Sequence, residues 1–350
     1  MKKLALFLLT ITMLVSCNDT DTTFKRAAVG NPYEVLIVCT QEFWDSPAGR
    51  ALENALDTDI PGLPQSERSF RISRTTELGN LTKPFRNIIN IDINHQLYSR
   101  TLFKYSKDIF AKPQMVMTIQ SPSREEFEKY VTDNAQVIVD FFTSVEMNRQ
   151  IDILKQKHNP TALETVKEMF DCELMIPVEM SGEKRGKDFV WLSDFNSARP
   201  EILSFVMYSY PYTSVDNFSL ENYIQKRDSV MKINMPGGKP GQFIQTEKEY
   251  VSLTETSYKD RYLQIARGLW YMENDMMGGP FVSHSVVDER NNRVIVVEAF
   301  VYAAGRKKGN FIRRLEASLY TLKLPADKLI ENSIHIPQVV IGATEEENNN

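Results

Sequence analysis

Four histidines are the natural starting point for metal or acid–base chemistry: His95, His158, His284 and His335. They lie far apart, and none forms a His-Glu-x-x-His pair, which would put two ligands on one helix face. No metal and no cofactor is expected. No Gly-x-Ser-x-Gly elbow occurs, so no nucleophile is assigned from a motif, although a Ser/His/Asp set can still assemble in space. Gly182-Glu-Lys-Arg-Gly186-Lys187 is one residue short of a phosphate loop. It runs on into Asp188 where Ser or Thr would hold magnesium, and it reads as a charged hairpin turn.

Three groups remain. Thr40, Arg74, Asp92, Asn94, His95 and Ser121 stand at the ends of short apolar runs. In a doubly wound sheet those ends bind ligands, and amides after Ser46 and Ser123 would hold an anion. The competing reading makes them caps and turns. Tyr208, Tyr210 and Tyr212 alternate along one strand, so they share a side. Exposed, they would form a sugar platform; otherwise they are core or rim. Glu298 alternates with Val294, Val296 and Phe300. It faces solvent, joins a salt bridge, or is a buried carboxylate with a raised pKa. In addition, Arg306, Lys307, Lys308, Arg313 and Arg314 surround a helix start, as a phosphate or acidic-partner surface or a solvated face.

The elements that would carry these residues fall into two patterns. Over residues 31–158, β-branched apolar runs at 33–39, 70–74, 87–93 and 114–120 alternate with helical stretches. Asp45-Ser46-Pro47 marks one helix start, and Ser123 with Glu126 marks a long helix reaching about Lys157. Residues 76–85 read as a short helix. The pattern is an N-terminal α/β domain with a mostly parallel sheet. Residues 159–332 show strands at 174–180, 188–194, 202–210, 250–258, 261–272, 281–288 and 293–302, with helices starting at Thr161, Ser219 and Asn310. That is an α+β domain, a largely antiparallel sheet with packed helices. Residues 333–350 add an edge strand at 334–341 and an acidic, disordered tail.

The first residues carry an address. Lys2 and Lys3 precede a short apolar run, which ends Leu14-Val15-Ser16-Cys17. The run is too short to span a membrane as a helix. It resembles a bacterial lipoprotein signal, with residues 1–16 removed, Cys17 acylated, and residues 17–30 a flexible tether. Cys39 and Cys172 then read as buried thiols or an extracytoplasmic disulfide. A net charge of −5 argues against nucleic-acid binding.

This lipobox, the 33–39 strand, Phe189-Val-Trp-Leu-Ser193 and residues 261–270 with the 294–302 hairpin resemble a Bacteroidota lipoprotein family, domain of unknown function 4837. The resemblance extends over nearly the whole chain. It implies a lipid-anchored envelope protein, expected at the outer membrane, and brings no catalytic residue. The expected role is non-catalytic binding of a partner protein or glycan. The alternative is an envelope hydrolase with a spatially assembled carboxylate/His site.

Overall fold

The computed structural model describes residues 25–194, 198–329 and Thr344–Glu345. Cys17 and the expected edge strand at 334–341 lie outside the described residues. Part of the expected tether is bonded to the body: the Val29 amide donates to the Pro84 carbonyl and the Lys112 amide to the Arg26 carbonyl.

In chain order the first half comprises β1 (Glu34–Val38), α1 (Gln41–Asp45), α2 (Pro47–Leu56), β2 (Arg71–Thr75), β3 (Asn87–Ile93), β4 (Leu102–Lys107), β5 (Met115–Ser121), α3 (Arg124–Asp133) and α4 (Ala135–Gln156). The strands lie in the order β4-β5-β3-β1-β2, parallel except for β4 against β5. Ser46 caps α2 with Pro47 at its first position, and Ser123 caps α3.

Side chains from all four helices pack on one sheet face. Leu52, Phe127, Val131, Phe141 and Phe142 meet Val35, Ile37, Ile89 and Met117 there. The opposite face, Leu36, Ile88 and Val116, meets Leu78, Phe85 and Ile109 from irregular chain. The sheet is therefore not doubly wound. Residues 76–85, expected as a helix, form turns instead; Gly79 and Pro84 disfavour helix continuation. The long helix expected from Ser123 breaks at Asn134, whose side-chain amide donates to the Tyr130 carbonyl and ends α3.

The second half comprises α5 (Pro160–Phe170), β6 (Gly182–Gly186), β7 (Phe189–Asp194), β8 (Ile202–Pro211), α6 (Leu220–Asn234), β9 (Ile244–Tyr258), β10 (Arg261–Met272), β11 (Gly278–Asp288), β12 (Arg293–Tyr302) and α7 (Gly309–Leu319). Its strands form one antiparallel sheet, β6-β7-β8-β12-β11-β10-β9. Helices cover both faces. α5 and α7 bury Val297, Val282 and Phe205, while α6 buries Tyr208, Val296 and Phe281.

Two local expectations fail. Residues 174–180 form no strand; Pro177 interrupts them, and Leu174, Ile176 and Met180 plug the core beneath α5. The charged stretch at 182–187 is largely edge strand β6, and the turn falls at Lys187-Asp188, with Asp188 at φ 52°. A short β13 (Thr344–Glu345) pairs parallel with β4. Between the halves, Met147 and Ile151 of α4 pack against Ala317 of α7.

Candidate binding cleft

The feature best suited to hold a ligand lies where the two halves meet. Residues 58–69 fold back on themselves, with the Ile60 amide donating to Glu67 O and the Ser69 amide to Thr58 O. This turn presents the Glu67 carboxylate to the start of α7. One carboxylate oxygen accepts from the Lys308 amide at 2.6 Å, the other from the Gly309 amide at 3.0 Å. The first amides of a helix have no intrahelical acceptor and carry partial positive charge. A carboxylate from the first half therefore caps a helix of the second. Asn310, expected as the cap, instead accepts from Arg313 at 3.2 Å.

Gly309 makes that approach feasible. A Cβ there would lie 2.4 Å from Ile60 Cδ1 and 2.9 Å from a Glu67 carboxylate oxygen. Gly309→Ala should cost about 1–3 kcal/mol, because the ends of the Ile60 and Glu67 side chains must move and the carboxylate is pushed off the amides. Urea unfolding checks this: a loss well below that range would mean that these side chains yield freely.

Beside this junction opens a cleft of about 930 Å³. Its walls are the 31–33 and 67–74 segments, Trp44 of α1, and residues 306–313. Six cationic side chains line it: Arg68, Arg71, Arg74, Arg306, Lys307 and Arg313. Glu53 and Glu67 are its carboxylates, and both are engaged, Glu53 with Arg50 and Glu67 with the α7 amides. The protein as a whole is acidic, so the cleft is a local reversal of sign.

The cations differ in how firmly they are held. Arg313 is buried with its guanidinium 3.4 Å from the centre of the Tyr33 ring, and it donates to Ser69 O at 2.8 Å. Burial pulls its pKa down, yet an arginine stays charged. Burial also pushes the Tyr33 hydroxyl well above its ordinary value, so that ring stays neutral. Arg74 lies 4.7 Å from the centre of the Trp44 ring and donates to Gln41 at 3.1 Å. Arg68 and Arg306 reach acids, Asp57 and Glu201, each at 2.6 Å. Arg71 stands 3.6 Å from Glu34. Lys307 is exposed and has no partner among the described residues. The Arg68–Asp57 pair is the exposed kind that exchanges partners at little cost, whereas Glu34 and Glu201 are buried carboxylates.

Of the strand-end candidates, only Arg74 lines this cleft. Thr40 caps α1 by accepting from the Phe43 amide at 3.2 Å. Asn94 accepts from the Gln96 and Leu97 amides. Ser121 is buried against Thr101 and donates to Ser123 O. Asp92 accepts from Tyr98, and His95 is exposed. These five are tied to caps and turns or stand apart, and none of them lines the cleft.

The expected aromatic surface is interior. Tyr208 is 1 % and Tyr210 9 % exposed, stacked at 6.4 Å beneath α6, with Tyr212 at the rim. Alternation reported their shared side correctly, but α6 covers that side.

Glu298 is fully buried and paired. Arg227 of α6, itself fully buried, donates through Nε at 2.9 Å and Nη2 at 2.7 Å to its two oxygens. Burial pushes the Glu298 carboxyl up, and Arg227 opposes that. The third donor of the fork, Nη1, reaches Thr246 Oγ1 at 2.7 Å. The site is an internal staple between α6, β12 and β9. Of the remaining basic cluster, Lys308 turns back onto Arg306 O, and Arg314 pairs with Glu179. Among the described residues no group of three His, Cys, Asp or Glu side chains converges as a metal site.

Residues 159–321 match the family model of a domain of unknown function, DUF4837. Residues 28–155 match a second domain of unknown function, DUF8532. No curated protein matches the chain. The DUF4837 match is thus narrower than the whole-chain resemblance: the lipobox and the 33–39 strand lie outside it. The cleft draws Tyr33, Trp44 and Arg68–Arg74 from the DUF8532 region and Arg306–Arg313 from the DUF4837 region.

The sequence did not single out Glu67, Arg68 or Arg71. A usable signal was present: three arginines lie within residues 68–74, directly before and inside a strand.

Proposed function

We propose that this chain is a lipid-anchored envelope protein of a Bacteroidota-type bacterium, held at the outer membrane through Cys17, that binds an acidic partner protein or glycan without converting it. The cleft carries the binding reading. Six cations surround about 930 Å³ against two carboxylates that are already engaged. Pockets of that volume hold small ligands or segments of larger ones. Focused positive potential in a low-dielectric cleft favours anions. No histidine lines the cleft, and Glu298 is locked to Arg227, so no observation favours the hydrolase alternative. The anchor rests on the Lys2-Lys3 start and the Leu14–Cys17 motif.

The test is titration calorimetry of the mature chain with a short polyglutamate and with an acidic oligosaccharide. At least one should bind, weaken with added salt, and lose about tenfold in affinity when Arg306→Glu and Lys307→Glu are combined, about 1.4 kcal/mol. Binding of neither, or binding indifferent to that double reversal, would refute the cleft. Cys17→Ala should move the protein from the membrane to the soluble fraction; unchanged membrane association would refute the anchor.

A further inference from the structure

One wall of the cleft is an open sheet edge. β2 is the last strand of its sheet and pairs with β1 alone. The Arg71 amide donates to Tyr33 O, and Thr75 O accepts from the Cys39 amide, both at 2.9 Å. Residues 71 and 75 therefore turn their main-chain groups towards β1, and so does Ser73 by the two-residue period of a strand. Ile72 and Arg74 turn theirs the other way, into the cleft. Among the described residues, no main-chain partner is found for the amide or carbonyl of either. Unpaired groups of this kind template the addition of another strand.

From this we infer that the cleft takes its ligand as an extended acidic peptide segment, which adds to β2 as a further strand. The inference rests on the binding role proposed for the cleft and names the ligand class. Ile72 and Arg74 supply main-chain donors and acceptors, which give affinity without sequence selectivity. Selectivity comes from charge. Arg71 and Arg74 flank the new strand from β2, while Arg306 and Lys307 face it from the opposite wall. Opposite charges across adjacent strands stabilise the pairing, and like charges oppose it. The same arginines repel a second copy of β2, so edge-to-edge self-association is disfavoured while acidic segments are accepted. At the opposite edge of this sheet, Thr344–Glu345 already adds to β4 at Lys104 and Tyr105. A two-residue segment with one acid, Glu345, thus already extends this sheet.

The decisive experiment uses the mature full chain and a capped peptide of alternating Glu and Val, about five to seven residues long, enough to span β2. Two further peptides carry N-methyl groups on one or the other alternate set of amides. Fluorescence anisotropy should show that the parent peptide binds. One methylated peptide should lose at least tenfold and the other little, because only alternate amides face β2. Ile72→Pro should weaken the parent peptide comparably. Its missing amide faces away from β1, where an edge strand tolerates proline, so the pairing with β1 should survive and the thermal midpoint should fall only by the contact that Ile72 makes with the core. An acidic oligosaccharide serves as the second ligand.

Several results would overturn strand addition. The peptide could bind in an Arg306/Lys307-dependent way but ignore both N-methyl sets, or the oligosaccharide alone could bind. In those cases the acidic cleft survives and the strand does not. If neither ligand binds, both readings fall. Should Ile72→Pro fail to fold, the two methylated peptides decide alone, since they leave the protein unchanged.

Discussion

Arg227→Met should destabilise the protein by about 3–5 kcal/mol, the usual cost of leaving one member of a buried ion pair without its partner. The geometry leaves little room for relief. Glu298 sits mid-strand in β12 with both oxygens held by the guanidinium fork. Arg227 is at the same time 4.1 Å from the centre of the Phe281 ring and bonded to Thr246, whose amide and hydroxyl both donate to Asp228. No solvent reaches either charge. In the variant, burial acts on Glu298 unopposed and raises its pKa further. A carboxyl raised above its unfolded value contributes stability at low pH that is lost as pH rises through the folded value. The deficit of Arg227→Met should therefore be larger at about pH 8 than at about pH 5. Glu298→Gln strands an arginine, which does not titrate there, and removes the raised carboxyl that costs the wild type stability as pH rises, so its deficit should shrink, not grow, towards about pH 8. Arg227→Met combined with Glu298→Leu should recover most of the loss, because apolar replacement of a whole buried pair is often neutral or stabilising. Urea unfolding across pH tests all three. A double variant no more stable than either single one would show that the pair is not the unit of stability.

Most strands of the two sheets were legible in the sequence because they announce themselves locally; β4, in a stretch equally compatible with helix and extended chain, and β6 did not. Residues 33–39 and 114–120 are apolar on both faces, as a covered sheet requires, and residues 294–301 are dense in β-branched side chains. Caps at Ser46, Ser123 and Ser219 were readable for the same reason, since a cap is a matter of a few neighbouring residues. What was not legible depends on partners distant in sequence. Alternation set Tyr208 and Tyr210 on one side of β8 but carried no word on whether a helix covers that side. Glu298 could be recognised as anomalous in its strand, whereas Arg227 looked like any charged residue of an amphipathic helix. The β6 stretch read as a turn because its glycines and charges mimic one, and only its edge position lets such residues lie extended. The cleft is the extreme case. Its walls come from the first 75 residues and from residues 306–313, and no periodicity links segments that meet only when the halves pack. Glu67 is a cap in space, and the helix it caps gives no local hint of it.

His284 should make the fold acid-sensitive. It lies mid-strand in β11 on the face covered by α7, 2 % exposed, with its ring 4.5 Å from that of Tyr320 and nearly perpendicular to it. Its Nε2 has no hydrogen-bond partner. Burial, with the Arg267 charge adding, lowers its pKa to about 3. Arg267 is itself held by Glu316 of α7, so its charge stays in place. The sign follows directly. Above the unfolded value of about 6.5 the ring is neutral in both states and contributes nothing. Below it the unfolded chain takes up a proton that the folded chain refuses, so stability falls by up to about 1.4 kcal/mol per pH unit until the folded group titrates. His284→Phe keeps a ring of similar size and removes the titration. Wild type and variant should therefore diverge as pH falls, by about 3 kcal/mol at about pH 4. Unfolding free energies that stay parallel from about pH 7 to about pH 4 would exclude His284 as the source. Because α7 lies over His284 at one end and forms the cleft wall at the other, acid loosening of this contact should also weaken the grip of Glu67 on the Lys308 and Gly309 amides. Ligand affinity of the wild type should then decline with acid more steeply than that of His284→Phe.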